Sequence, residues 1–142
     1  MSSAWALIHH HNQILMIRRA FDRGRGGQWC LPGGTIWRGE RPDVACVREA
    51  FEETGLRVTI ERPIAVFHDA HYFLCTLNTR RDCLNLRRCE CIDSSWIIPS
   101  DILTLGTIMD LKRMIPIFEF TGLHGPRVPR GLKTAIPEHL FF

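Results

Sequence analysis

The chain has 142 residues, 45% of them hydrophobic and 23% charged, with a formal net charge of +3. That composition is ordinary for a globular protein and excludes a disordered chain, a coiled coil and a collagen-like repeat. No apolar run approaches the ~18 residues of a membrane span, and Met1 to Trp5 lacks the basic-then-apolar pattern of a secretory leader.

In chain order, Ala4 to Ile8 reads as a buried strand and Ile14 to Ile17 as a second, joined by a polar turn from His9 to Gln13. The three adjacent histidines of that turn read as solvated loop residues rather than a metal tract. Residues 22–28 form a glycine-rich loop, followed by a short strand at Trp29 to Leu31 and a break at Pro32-Gly33-Gly34. Residues 42–54 read as one helix. Pro42 suits its first position, Asp43 complements its dipole, and Gly55 suits a left-handed C-terminal cap. At about 100° per residue, Val44, Val47, Ala50, Phe51 and Thr54 share one side, expected to pack, and Glu49, Glu52 and Glu53 share the other.

Beyond the helix, Arg57 to Ile60, Ile64 to Phe67 and Tyr72 to Leu77 read as strands and Thr79 to Arg88 as a loop. Ser95 to Ile98 is a strand stopped by Pro99, and Ser100 suits the cap of a short turn or helix. Thr107 to Phe118 has helical spacing, with Pro116 limiting its run. Residues 121–142 give no clear pattern. The expected organisation is one domain over residues 1–142, with 121–142 as a C-terminal extension of undefined role.

The six cysteines read as reduced thiols of a cytoplasmic protein, and Cys89-x-Cys91 lacks zinc-knuckle spacing. Arginines cluster at 18, 19, 23 and 25 and again at 80, 81, 87 and 88. They suit solvated loops, and equally a phosphate-bearing ligand, which guanidinium grips through paired hydrogen bonds. The net charge is too mild for a stable nucleic-acid surface.

Three glutamates at i, i+3 and i+4 repel one another, which folding alone does not reward. Either the helix carries them solvated, or they collect a hard divalent cation such as Mg²⁺. Reading from Gly34, the sequence has five residues, Glu40, seven residues, then Arg48-Glu49-Ala50-Phe51-Glu52-Glu53-Thr54-Gly55-Leu56. This resembles the Nudix box, G-x5-E-x7-R-E-U-x-E-E-x-G-U, at every specified position, with a small residue, Ala50, in the first apolar slot.

The resemblance implies an α/β Nudix fold, a mixed curved sheet sandwiched between helices. It also implies Mg²⁺- or Mn²⁺-dependent hydrolysis of a diphosphate linkage in a nucleoside diphosphate derivative. Carried over by residue, Glu49, Glu52 and Glu53 and the Gly34 carbonyl would hold metal. Arg48 would orient the glutamates, with Glu40 bracing it and Gly55 ending the helix. Glu52 or Glu53 is the general-base candidate within the box, and Glu90 is the one outside it.

Further segments look like the MutT subgroup, which converts nucleoside triphosphates to monophosphate and pyrophosphate. In Ile17-Arg18-Arg19-Ala20 the second arginine, Arg19, would touch substrate phosphate. Glu90 stands six residues before Trp96, the spacing of that subgroup's loop glutamate. Phe67 to His71 is also similar but carries Ala70 where an arginine would grip the nucleotide. Trp29 and Tyr72 are candidates to stack on a base, with core packing as the competing role. The alternatives are an ADP-ribose or nucleotide-sugar pyrophosphatase and a nucleotide sensor without turnover; the three intact glutamates favour catalysis. The expected partner is a small nucleotide, with no membrane and no stable nucleic acid, and the chain acts as monomer or homodimer.

Overall fold

The central strand, β1 (Ser3–His10), is apolar on both faces, with Ala4, Ala6, Leu7 and Ile8 fully buried. A strand covered on both sides reads as such a continuous run. The structure, a computed structural model, describes residues 1–142.

From β1 the chain turns back into β2 (Gln13–Arg19) through His11 and Asn12, both with positive φ, which a two-residue hairpin turn demands. His9 and His10 therefore end the strand, and only His11 lies in the turn. β3 (Trp29–Cys30) pairs antiparallel with β2, and β4 (Gly33–Thr35) pairs antiparallel with β1. After the helix α1 (Pro42–Thr54) come β5 (Val58–Phe67) and β6 (Ala70–Leu77), and β6 lies parallel to β1. β7 (Cys91–Ile97) pairs with β2, and α2 (Leu111–Thr121) and β8 (His139–Leu140) close the chain. The sheet runs β3-β2-β1-β6-β5-β8, with β4 and β7 joined beside β1 and β2.

Strand alternation sorts side chains into two cores. Ala4, Ala6, Ile8, Leu15, Ile17, Phe73 and Cys75 meet Ala45, Cys46 and Ala50 of α1. Leu7, Ile14, Met16, Tyr72 and Leu74 meet Met114, Ile117 and Phe118 of α2. This is the expected sheet between helices. No helix is long and apolar enough to cross a membrane.

Three differences from the sequence reading have physical causes. First, α1 has the expected bounds and caps, with Gly55 at φ 72° donating to the Phe51 carbonyl at 2.8 Å, but its packing face is rotated. Val44 and Phe51 are 49% and 42% exposed, whereas Ala45, Cys46, Ala50, Glu53 and Thr54 are buried. Small residues let the helix sit close to the sheet, so Glu53 enters the interior instead of a solvated face. Second, β5 is one strand, not two. Bulges between Ile60 and Arg62 and between Pro63 and Ala65 absorb the proline, which a regular central ladder would reject.

Third, α2 begins at Leu111 rather than Thr107 and continues past Pro116 to Thr121. A proline inside a helix deprives the carbonyl four residues earlier of its donor. Here that carbonyl, on Lys112, accepts from the Ala135 N–H at 2.8 Å. The same tail pairs with the sheet, Glu138 N–H to the Val66 carbonyl at 2.8 Å and Phe141 N–H to the Ile64 carbonyl at 2.9 Å. Ala135→Pro removes the donor and is expected to lower the unfolding free energy by about 1 kcal/mol. Urea denaturation measures this; an unchanged midpoint would mean that water serves the Lys112 carbonyl equally well.

Candidate functional site

β4 lies against the C-terminal half of α1, and its two glycines set the approach. The Gly33 N–H donates to Glu53 Oε1 at 2.7 Å. A Cβ on Gly34 would stand 2.6 Å from the Glu49 carboxyl carbon, so a larger residue there would push that carboxylate away. Glu53 is 2% exposed; its second oxygen faces Cys91 Sγ at 3.8 Å and Arg23 Nη1 at 3.6 Å. Burial pushes the Glu53 carboxyl up to about 7, with the charges of Glu49 and Glu90 adding to the rise and the Gly33 N–H and Arg23 opposing it. Glu49 is also raised, chiefly by burial, against the Arg48 guanidinium and with Glu52 and Glu90 contributing.

Arg48 organises the other carboxylates. Its Nε and Nη2 hold both oxygens of Glu40 at 2.8 and 2.9 Å, and Nη1 donates to Glu49 at 2.9 Å and Glu52 at 3.2 Å. Nη2 also donates to the Thr35 carbonyl at 2.8 Å, and the guanidinium lies 3.5 Å from the Trp37 ring centroid. Glu40 also accepts the Trp37 N–H at 2.9 Å. The hydrogen bonds from Arg48 hold its carboxyl below the usual range.

Gly34, Glu40, Arg48, Glu49, Glu52 and Glu53 thus share one cluster, and Glu90 arrives from the turn before β7 near enough to raise both Glu49 and Glu53. Arg19, at the end of β2, donates from Nε to the Gly24 carbonyl at 2.9 Å. Trp29 and Tyr72 belong to the α2-side core and are only 6% and 4% exposed, with Tyr72 also at the wall of the largest cavity. Tyr72 packs edge-on against Phe67, and burial pushes its hydroxyl up to about 12. The largest cavity, about 390 Å³, lies between the start of α1 and β5–β6 and is lined by none of the clustered glutamates.

No three His, Cys, Asp or Glu side chains converge as a ready-made cation cage. Arg48 draws Glu49 and Glu52 toward itself, while Glu53 turns to Gly33. The donor chemistry nevertheless fits a hard divalent cation. The donors are all oxygens, and Glu49 Oε2 and Glu52 Oε1 accept no hydrogen bond. Burial raises the carboxyls of both Glu49 and Glu53, and neighbouring carboxylates add to the rise, so a cation there would relieve a strained set of charges.

Sequence reasoning did not single out Arg23, Cys91 or Trp37. Arg23 lay in a recognised arginine cluster, but nothing in its spacing pointed to Glu53. Cys91 carried no signal, because only the folded topology brings it to the site, and Trp37 stood unremarked at an unspecified position of the loop between Gly34 and Glu40.

Comparison with known proteins shows the family and the fold. The NUDIX domain model matches residues 2–107. A MutT-like protein of Streptomyces ambofaciens is 29% identical over 127 residues, covering 87% of this chain and 80% of that protein. An 8-oxo-dGTP diphosphatase of Escherichia coli strain K12 is 42% identical over 48 residues, which cover 34% of this chain and 37% of that enzyme. A NUDIX hydrolase structure from Nitrosomonas europaea superposes with TM-score 0.71 at 19% identity, covering 88% and 91% of the two chains. With a family model matched over most of its length, the chain belongs to the Nudix family and is a MutT-like Nudix hydrolase.

Proposed function

We propose that this enzyme hydrolyses a (deoxy)nucleoside triphosphate to monophosphate and pyrophosphate, using Mg²⁺ or, in its place, Mn²⁺. The observation that carries the reading is the buried Glu53, seated on the Gly33 N–H with Glu49 against Gly34 and Glu90 close by. Glu49, Glu52, Glu53 and the Gly34 carbonyl would hold the cation, which when bound neutralises charge on the diphosphate bridge and acidifies water. Glu90 or Glu52 then takes the proton of the attacking water, each being more accessible than Glu53. Arg19 binds a phosphate of the substrate through the guanidinium nitrogens not used on the Gly24 carbonyl.

Two relatives named as 8-oxo-dGTP diphosphatases, 35% and 42% identical over 57 and 48 residues, support a triphosphate. The same reading takes residues 1–142 as one catalytic domain, with the tail joined to the sheet through β8. It assigns the enzyme to the reducing cytoplasm, in keeping with six free cysteines.

The test is product analysis with Mg²⁺ over a panel of nucleoside triphosphates, oxidised guanine triphosphate, ADP-ribose, nucleotide sugars and dinucleoside polyphosphates. Pyrophosphate from a triphosphate supports the proposal. Monophosphates from ADP-ribose or a sugar nucleotide would replace it, and tight binding without turnover would make the protein a sensor. Arg19→Ala is expected to raise KM about tenfold, the loss of one hydrogen bond to a charged group, with kcat within about threefold. Steady-state kinetics checks this, and an unmoved KM removes Arg19 from the phosphate site.

A further inference from the structure

We infer that Arg23 is the built-in counterion of the cation site: it pairs with Glu53 in competition with the cation and, once displaced, binds a phosphate of the substrate. The inference rests on the reading of Glu49, Glu52 and Glu53 as cation ligands.

Arg23 lies in the glycine-rich loop between β2 and β3. Its Nη1 stands 3.6 Å from Glu53 Oε2 and 3.3 Å from the Glu90 carbonyl oxygen. It is the one cationic side chain in ion-pair range of Glu53. At 3.6 Å the contact with the carboxylate is Coulombic and lies outside hydrogen-bond range, so it can be exchanged without breaking a bond. A divalent cation on the same carboxylates competes for the same charge and repels the guanidinium.

Donor use separates Arg23 from Arg48. A guanidinium has five N–H groups. Those of Arg48 are committed to Glu40, Glu49, Glu52 and the Thr35 carbonyl, which leaves nothing for a ligand. The Arg23 side chain makes one hydrogen bond, to the Glu90 carbonyl. Its remaining donors suit the paired oxygens of a phosphate.

The loop permits the exchange. The next residue, Gly24, has no atom within 4 Å of where a Cβ would stand, so the loop is open on that side, while its carbonyl holds Arg19 Nε and the Arg23 N–H bonds the Ala20 carbonyl. Arg25, two residues on, faces the other layer and pairs with Asp110 at 3.0 Å. The loop backbone is therefore anchored on both sides of Arg23, while its side chain is held only by the long Glu90 carbonyl bond and the charge of Glu53. Cation and phosphate binding are then coupled. Each weakens the hold of Glu53 on Arg23, and by linkage each favours the other.

The experiment is a Mn²⁺ titration followed by electron paramagnetic resonance, on metal-stripped full-length protein without nucleotide. Arg23→Ala, Arg23→Gln, Arg25→Ala and Glu53→Gln are compared with the wild type, and KM for a nucleoside triphosphate is measured in parallel. Removing Arg23 is expected to tighten Mn²⁺ about 3- to 10-fold, the scale of a partly exposed ion pair, and to raise KM about tenfold with kcat little changed. Arg25→Ala is expected to leave Mn²⁺ affinity unchanged. Glu53→Gln is expected to weaken Mn²⁺ binding more than about tenfold.

If Glu53→Gln weakens Mn²⁺ and neither Arg23 variant tightens it, the counterion role is overturned and the cation site stands. If Glu53→Gln leaves Mn²⁺ affinity unchanged, the cation-site reading fails and this inference with it. Tightened Mn²⁺ with an unmoved KM would overturn the phosphate role.

Discussion

Glu53→Gln is expected to lower kcat/KM by about 10²–10³-fold or more, the scale of losing one charge-stabilising group at a reacting centre. The fold is expected to survive. Glutamine is isosteric, and its Oε1 still accepts the Gly33 N–H now bonded at 2.7 Å. What disappears is a charge that burial disfavours, in a pocket already carrying Glu49 and Glu90. The cation-free variant is therefore expected to unfold at or above the wild-type temperature while losing both activity and Mg²⁺ dependence. Loss of function without loss of stability separates a ligand from a structural carboxylate. Calorimetry beside product assays measures both. Wild-type turnover with unchanged Mg²⁺ dependence would remove Glu53 from the cation site.

The contrast between α1 and its surroundings shows which features a sequence displays. The ends of α1 were legible because proline and glycine act locally, Pro42 through its missing N–H and Gly55 through its left-handed φ. Its buried face was legible only in part: Ala50 and Thr54 are buried as expected, whereas Val44 and Phe51 are exposed. Hydrophobic periodicity favours Val44 and Phe51, whereas close approach to a sheet selects small Ala45, Cys46 and Ala50. The bulges around Pro63 and the Ala135 partner of Lys112 depend on pairings distant in sequence, so the local pattern read β5 as two strands and ended α2 at Phe118 rather than Thr121.

The candidate site divides in the same way. Glu40, Arg48 and the three box glutamates hold fixed offsets on one helix and its preceding loop, so their grouping is local information. Arg23 lies thirty positions before Glu53, and Cys91 is farther away in sequence; they meet because β3 and β7 both pair with β2. Trp29 and Tyr72 were ambiguous for another reason. Aromatic side chains serve cores and base stacks alike, and only their depth in the α2-side core separates the two.

The second large effect is expected at Arg48, where the geometry of the charge matters as much as its sign. Arg48→Ala leaves Glu40 and Glu49, 9% and 14% exposed, without their cation, and gives the exposed Thr35 carbonyl over to water. Breaking a largely buried ion pair from one side costs about 3–5 kcal/mol. The partly exposed Glu52 adds little. A loss of about 3 kcal/mol in unfolding free energy is therefore expected. Arg48→Lys tests what the fork supplies. An ammonium keeps the charge but is a single point, so it cannot span both Glu40 oxygens while reaching Glu49, Glu52 and Thr35. It also forfeits the flat stack on Trp37. Lysine is expected to recover less than half of the lost stability and to leave kcat/KM about 10- to 100-fold down, since Glu49 and Glu52 would no longer be held in register. Urea denaturation and product kinetics on both variants give the answer. If lysine restores stability and turnover together, net charge alone holds the carboxylates, and the bidentate geometry around Arg48 is incidental.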